Sequence, residues 1–96
     1  MDREEIDRLL VNLPEWQLME DLPTFQIQRI FRFSNFSEPL SFANRVGEIA
    51  NAENHHPTLI IEWGRLTVRL WTHTAGGLHR NDFIMAARID RLFSGG

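Results

Sequence analysis

Apolar residues recur along the chain with two different periods, one typical of helices and one typical of strands. The helical period predicts a first amphipathic helix over residues 2–12, ending near Asn12 or Pro14. It predicts a second helix over residues 37–52, with Ser37 as a hydroxyl cap and a proline in the first turn, and a third over residues 79–93. The positions that define these helices are Ile6, Leu9, Leu10, Leu13, Phe42, Val46, Ile49, Met85, Ile89 and Leu92.

The segments between these helices alternate with the two-residue period of strands. A short strand is predicted at residues 16–18, and a longer one over 24–33 places Phe25, Ile27, Phe31 and Phe33 on one face and Gln26, Gln28 and Arg32 on the other. Residues 57–63 and 66–72 form two more. The order predicts one α+β domain over residues 1–96, with a four-stranded antiparallel sheet and three helices on one face (α-β-β-α-β-β-α).

The last two predicted strands are separated only by Gly64 and Arg65. A glycine in the first position of a two-residue loop is typical of a type II′ hairpin. That register places Trp63 on an apolar face, where core packing is its expected role, and it places His56 opposite His73 on the other face. We therefore predict a site shared by His56 and His73.

Three of the four histidines, His55, His56 and His73, fall within 19 residues, and Asp82 follows nine residues after His73. Histidine titrates near neutral pH, so such a cluster favours proton transfer or metal binding, although a solvated pair would also fit. Adjacent histidines in an extended chain point in opposite directions, and the HxH and HxxxH spacings of many metal sites are absent. The spacing favours proton transfer, and we expect no metal.

The composition narrows the possible functions. The chain has 96 residues, no cysteine and a net charge of −3, and all ten of its basic residues are arginine. Without lysine, Schiff-base catalysis is excluded. No apolar run reaches membrane-spanning length and the N-terminus lacks a signal-peptide core, so we expect a cytoplasmic protein that does not enter membranes. The sequence has no basic stripe of the kind found in nucleic-acid binders, so we expect no direct binding of nucleic acid. The arginines at 29, 32, 65 and 69 form either a local basic patch or separate solvated positions.

The motifs resemble those of the pterin-4a-carbinolamine dehydratases along nearly the whole chain. The resemblance is carried by His55-His56-Pro57, Trp63, Thr72-His73, Gly76-Gly77-Leu78, Asp82 and Ala86-Ala87-Arg88-Ile89-Asp90. It implies dehydration of a 4a-hydroxytetrahydropterin, without metal or organic cofactor, by a homodimer or homotetramer. Residues 24–33, the longest candidate edge strand, contain no proline or lysine to discourage pairing, which also favours self-association.

The resemblance also implies roles for individual residues. His55 and His73 would act as acid and base around the leaving hydroxyl, and His56 would bind the ring and accept or relay a proton. Asp82 would orient a catalytic group, serve the start of the last helix, or do both. Pro57, Trp63 and Thr72 would contribute to substrate binding.

Two positions depart from the family pattern. Asn51 stands where the family usually has an acidic residue, four positions before the first histidine, and His79 stands where it tends to have threonine or serine. The change at Asn51 keeps a second class open, a non-catalytic interaction protein on the same scaffold. Relatives of that kind include a dimerisation cofactor of a transcription factor and assembly factors for a carbon-fixing enzyme.

Overall fold

The computed structural model describes residues 1–95. The helices are α1 (Arg3–Leu10), α2 (Ser37–Glu53) and α3 (Arg80–Phe93), and a 3₁₀ helix spans His73–Ala75. The strands are β1 (Gln17–Met19), β2 (Gln26–Arg32), β3 (Thr58–Glu62) and β4 (Arg65–Leu70). They form a four-stranded antiparallel sheet in the order β1-β2-β4-β3.

This architecture confirms the predicted α+β class and the order of its elements. The strand order also corrects one expectation, because β2 lies inside the sheet and the edge strands are β1 and β3. The length of β2 suggested an exposed edge, but an interior strand gains hydrogen bonds on both sides and its length suits that position. Within residues 1–95, no helix has the length and apolar character needed to cross a bilayer.

The chain divides into two compact units. The first comprises Met1–Gln28 with the chain from Leu70 onward, and the second comprises Arg29–Arg69. The buried core of the first unit consists of Ile6, Leu13, Trp16, Ile27, Leu70, Leu78, Phe83, Met85, Ala86 and Ile89. In it, the Trp16 indole N–H donates to Asp90 Oδ1 at 2.9 Å, which satisfies the polar end of a buried aromatic side chain.

The second unit has a smaller core around Phe42 on α2. The Phe42 ring lies 5.1 Å from that of Phe31 and 5.8 Å from that of Phe33, both in tilted arrangements. Such aromatic pairs stabilise a core beyond the area they bury. The remaining buried apolar residues of this unit are Pro39, Ala43, Val46, Ala50, Leu66 and Val68.

The start of α2 differs from the prediction, which made Ser37 the cap. Ser37 is already helical and the preceding residue makes no side-chain cap. Instead, Asn35 Oδ1 accepts from the Glu38 backbone N–H at 2.9 Å, and Glu38 Oε2 accepts from the Ser34 N–H at 3.3 Å. An asparagine amide satisfies a free N–H of the first turn as well as a hydroxyl does, so the cap lies two residues earlier than predicted.

The register of the β3–β4 hairpin is also different. Glu62 pairs with Arg65 and Thr58 with Arg69, so the loop consists of Trp63 and Gly64. Gly64 takes the second loop position with a φ of 79°, a conformation that glycine adopts without steric cost. The predicted register is therefore wrong by two residues. A shift of two residues keeps each side chain on the same face of the sheet, so the predicted assignment of strand residues to the two faces is unchanged.

Candidate active site

The motif His55-His56-Pro57 lies immediately after α2, in the second unit. Asn54 adopts a left-handed conformation at the end of the helix, with φ 51° and ψ 44°. The His55 N–H then donates to the Ala50 carbonyl at 3.0 Å, which satisfies a free carbonyl of the last turn. Pro57 cannot continue a helix. The chain therefore changes direction at Asn54, and both histidines lie in the short segment between α2 and β3.

His56 is the exposed member of this motif, and its ring contacts the end of α2. His56 Nε2 lies 3.1 Å from Asn51 Oδ1. An amide oxygen only accepts, so in this arrangement Nε2 is the donor, and in the neutral imidazole Nδ1 presents a lone pair. Asn51, one of the two positions that depart from the pattern of the resembled family, thus orients the His56 ring through a neutral acceptor. His55 is half-buried.

Thr72, His73 and Asp82 belong to the first unit. Asp82 is fully buried and occupies the first turn of α3. Its Oδ2 accepts from Thr72 Oγ1 at 2.9 Å and from the His79 backbone N–H at 3.0 Å. In return, His79 Nδ1 accepts from the Asn81 N–H at 3.1 Å. Asp82 therefore stabilises the start of α3, which was one of its two predicted roles. It also binds the hydroxyl of Thr72, the residue before His73.

His73 begins the 3₁₀ helix and its side chain is exposed. The His73 ring meets that of Trp71 edge-on, with ring centroids 4.9 Å apart. Thr72 closes the following loop by exchanging backbone hydrogen bonds with Gly77, at 2.7 and 3.2 Å. The predicted cross-strand pair of His56 and His73 is wrong, because the β3–β4 ladder ends at Thr58 and Arg69 and neither histidine is in a strand.

Trp63 does not pack in the core as the predicted register required. It occupies the hairpin turn and is 72% exposed. The five residues of β3 separate it from His56 and Pro57, so these residues lie on the order of 20 Å apart at a rise of about 3.3 Å per residue. Within the second unit, Trp63 and the histidine motif occupy opposite ends of the hairpin.

The sequence analysis missed two contacts of the candidate site residues. The Asn51–His56 hydrogen bond depends on the reversal at Asn54, and an asparagine directly after a helical pattern is a recognised stop signal. The Thr72–Asp82 hydrogen bond joins residues ten apart and has no local signature. Among the side chains of residues 1–95, no group of three or more His, Asp or Glu is arranged to hold a metal ion.

Comparison with known proteins identifies the family. The family described as Pterin 4 alpha carbinolamine dehydratase matches residues 1–92. A relative from Chlorobium limicola, provisionally named pterin-4-alpha-carbinolamine dehydratase, is 55% identical over 92 residues, which cover 96% of this chain and 81% of the relative. The chain belongs to the pterin-4a-carbinolamine dehydratase family.

Two solved structures extend the comparison. A transcriptional coactivator/pterin dehydratase from Brucella melitensis superposes with a TM-score of 0.85 at 28% identity, covering 94% of each chain. A pterin dehydratase-like protein, identified as a RuBisCO assembly factor in the alpha-carboxysome, has a TM-score of 0.67 at 18% identity and covers 81% of this chain and 88% of its own. The second likeness concerns the fold alone.

Proposed function

We propose that the chain is a 4a-hydroxytetrahydropterin dehydratase that produces quinonoid dihydropterin and so recycles an oxidised pterin cofactor. The observation that carries this proposal is the ordered set of His55, His56, His73 and Asp82 in a chain that matches the dehydratase family over residues 1–92. We infer that these residues act within one pterin dehydratase-like domain of a cytoplasmic protein.

The reaction requires two proton movements and no change in oxidation state. The C4a hydroxyl takes a proton and leaves as water with the electrons of the C–O bond. The proton on N5 is removed, and its electron pair forms the C4a=N5 double bond. Imidazoles suit both steps, because their ordinary pKa lies near the working pH. Nothing in the reaction calls for a metal or an organic cofactor.

The proposed roles follow the chemistry of each side chain. His55 and His73 act as acid and base around the leaving hydroxyl. His56 binds the ring and relays a proton; its contact with Asn51 supports this role, since with Nε2–H bound to Asn51 the Nδ1 of the neutral imidazole can accept a proton. Asp82 positions Thr72 next to His73, and Pro57 and Thr72 contribute to substrate binding. Trp63 has no role in the proposed mechanism, because it lies at the end of the hairpin opposite to the histidine motif.

A dehydration assay with 4a-hydroxytetrahydropterin tests the proposal directly. The purified chain should accelerate the reaction over its spontaneous rate. His56→Ala and His73→Ala should each lower turnover by about 10²–10⁴-fold, the usual contribution of a positioned acid or base, with unchanged circular dichroism. His79→Ser is the matched control, because serine preserves a helix cap and His79 has no proposed role in proton transfer. A chain without acceleration, or histidine variants with normal turnover, would refute the proposal.

A separate variant tests Asn51, since it is the departure from the family pattern that contacts a proposed catalytic histidine. Asn51→Ala should lower kcat by up to about fivefold, because it removes one hydrogen bond worth about 1 kcal/mol from the His56 ring. KM should change little. Asn44→Ala is the control: Asn44 is also an exposed asparagine on α2. Equal kcat values for the two variants would show that Asn51 does not position His56.

A non-catalytic role as an interaction protein is the second candidate. Two observations favour it. Asn51 replaces the acidic residue that the family usually has at this position. The similar structure from Brucella melitensis is described as both a transcriptional coactivator and a pterin dehydratase. In that case the chain would serve as a dimerisation cofactor of a transcription factor or as an assembly factor for a carbon-fixing enzyme. The dehydration assay separates the two candidates, since a non-catalytic protein would give only the spontaneous rate.

We also propose that the chain forms a homodimer or a homotetramer. The strand order leaves β1 and β3 as edges, and β3 offers five residues without proline or lysine. Unpaired N–H and C=O groups at such an edge favour pairing with another strand. Light scattering at micromolar concentration should give at least twice the monomer mass of 11.2 kDa. A monomer mass would refute this.

A further inference from the structure

The arginines at 29, 32, 65 and 69 are not equivalent in the structure. Arg65 forms a two-point ion pair with Glu62, with distances of 2.7 and 3.0 Å. The Arg29 guanidinium lies 4.3 Å from the centre of the Phe31 ring, and Arg69 also has a partner. Arg32 is exposed, and its guanidinium has no hydrogen-bond or ion-pair partner among residues 1–95. One cation on this part of the chain is therefore available to bind an anion.

Arg32 lines a concave surface at the turn of the β3–β4 hairpin. This hairpin-tip surface, with a cavity volume of about 490 Å³, is formed by Arg32, Phe33, Glu62, Trp63, Gly64 and Arg65. Trp63 is 72% exposed, the highest value among the large exposed aromatic residues. Tryptophan and arginine are among the residue types enriched where binding energy concentrates in protein interfaces. The surface has the composition of such a site.

The backbone beneath this surface is fixed. The Phe33 N–H donates to the Gly64 carbonyl at 2.9 Å, and the Gly64 N–H donates to the Asn35 carbonyl at 3.0 Å. The Glu62–Arg65 ion pair joins the two residues on either side of the turn. Trp63 is therefore presented from a loop that loses little conformational freedom on binding, which favours affinity.

We propose that the hairpin-tip surface is a docking site for an acidic segment of a partner protein, in which an aromatic side chain is flanked by carboxylates. The aromatic ring stacks on Trp63, and a carboxylate pairs with the Arg32 guanidinium through two parallel hydrogen bonds. Because Glu62 neutralises Arg65, the surface carries one positive charge in excess. A short acidic segment matches that charge.

The charge of the whole chain selects a peptide over a nucleic acid. The net charge of −3 repels a polyanion at long range, whereas a segment with two carboxylates needs only the local excess at Arg32. The hairpin tip also lies at the end of β3 opposite to the histidine motif. The proposed docking site is therefore independent of the proposed dehydratase activity, and either can fail alone.

An NMR titration of the ¹⁵N-labelled full chain tests this proposal. The three tryptophans each give one indole N–H signal, and Trp63→Phe assigns that of Trp63. The probe is the peptide acetyl-Gly-Asp-Phe-Glu-Gly-amide, and the controls are acetyl-Gly-Lys-Phe-Lys-Gly-amide and an eight-nucleotide oligothymidine. We expect a saturable shift of the Trp63 signal with a Kd of about 1 mM or lower. Arg32→Ala should weaken binding by about fivefold or more, corresponding to one lost carboxylate contact, and Arg91→Ala, a change at another exposed arginine, should leave it unchanged.

Several outcomes would overturn the proposal. No saturable shift up to about 5 mM, equal binding of the lysine peptide, or equal affinity of the Arg32→Ala variant would exclude recognition of an acidic segment. Tighter binding of the oligonucleotide would indicate a nucleic-acid site. A shift of the Trp63 signal with protein concentration alone would indicate that a second copy of the chain covers the surface. Arg32→Ala should retain the dehydration rate of the unmodified chain.

Discussion

Replacement of Asp82 gives the sharpest test of how the structure holds the residues around His73. The fully buried carboxylate accepts hydrogen bonds from the Thr72 hydroxyl and the His79 backbone N–H. A hydrogen bond to a charged group contributes about 1.5–3 kcal/mol, and a donor left unsatisfied in the interior costs a similar amount. Asp82→Asn keeps the shape and one acceptor oxygen, so we expect a loss of about 2–3 kcal/mol in the free energy of unfolding. Asp82→Ala should lose about 4 kcal/mol.

Urea unfolding followed by tryptophan fluorescence measures these losses. For a domain of this size, 2 kcal/mol corresponds to a fall in Tm of about 8–16 °C. Asp21→Asn is the matched control, because Asp21 is exposed, and it should change the free energy of unfolding by less than about 0.5 kcal/mol. Combining Asp82→Asn with Thr72→Val should cost less than the sum of the single changes, by about 1 kcal/mol, because the two residues share a hydrogen bond. If Asp82→Asn were as stable as Asp21→Asn, the reasoning would be refuted.

Two further predictions use the same unfolding measurement. Trp16→Phe should lower the free energy of unfolding by about 1–3 kcal/mol, because it leaves the part-buried Asp90 carboxylate without the indole donor. The control is Trp63→Phe, at an exposed turn, which should change the free energy of unfolding by less than about 0.5 kcal/mol. Equal losses for the two variants would contradict the assigned environments. The second concerns pH: the hydrogen bond from Arg65, assisted by its charge, lowers the pKa of Glu62 below the ordinary 4.5. A lowered carboxylate pKa stabilises the folded state above the unfolded pKa and ceases to do so as pH falls through the folded pKa. The urea midpoint of the unmodified chain should therefore exceed that of Glu62→Gln at pH 7, and the difference should vanish as the pH falls below 4.5 and through the folded pKa; a difference independent of pH would contradict this.

The hairpin illustrates what sequence patterning can and cannot determine. Alternation of apolar and polar residues identified β3, β4 and their faces, because successive side chains of a strand point to opposite faces of the sheet. The loop was misplaced since Gly64 fits either loop position by local rules. The choice depends on its hydrogen bonds with Phe33 and Asn35, about 30 residues earlier in the chain. Such non-local contacts leave no signal in the hairpin's own sequence.

Helix α2 shows the same division at its two ends. Its apolar spacing predicted its existence and length, yet Asn35 rather than Ser37 satisfies the first turn. Several residues near a helix start can cap it, and the surrounding chain selects among them. At the other end, the motif around His56 was evident from the sequence. Its contact with Asn51 was not, because it depends on the left-handed turn at Asn54.

The hydrogen bonds of Gly64 have a practical consequence for anyone who modifies this chain. Hairpin tips are usually safe places for a peptide tag, a domain insertion or new termini, because their backbone is free. Here an insertion after Gly64 would displace the carbonyl and N–H that bind Phe33 and Asn35. Asn35 also caps α2, so the disturbance would reach the first turn of that helix. For this chain, an insertion at this exposed turn would damage the fold that carries it.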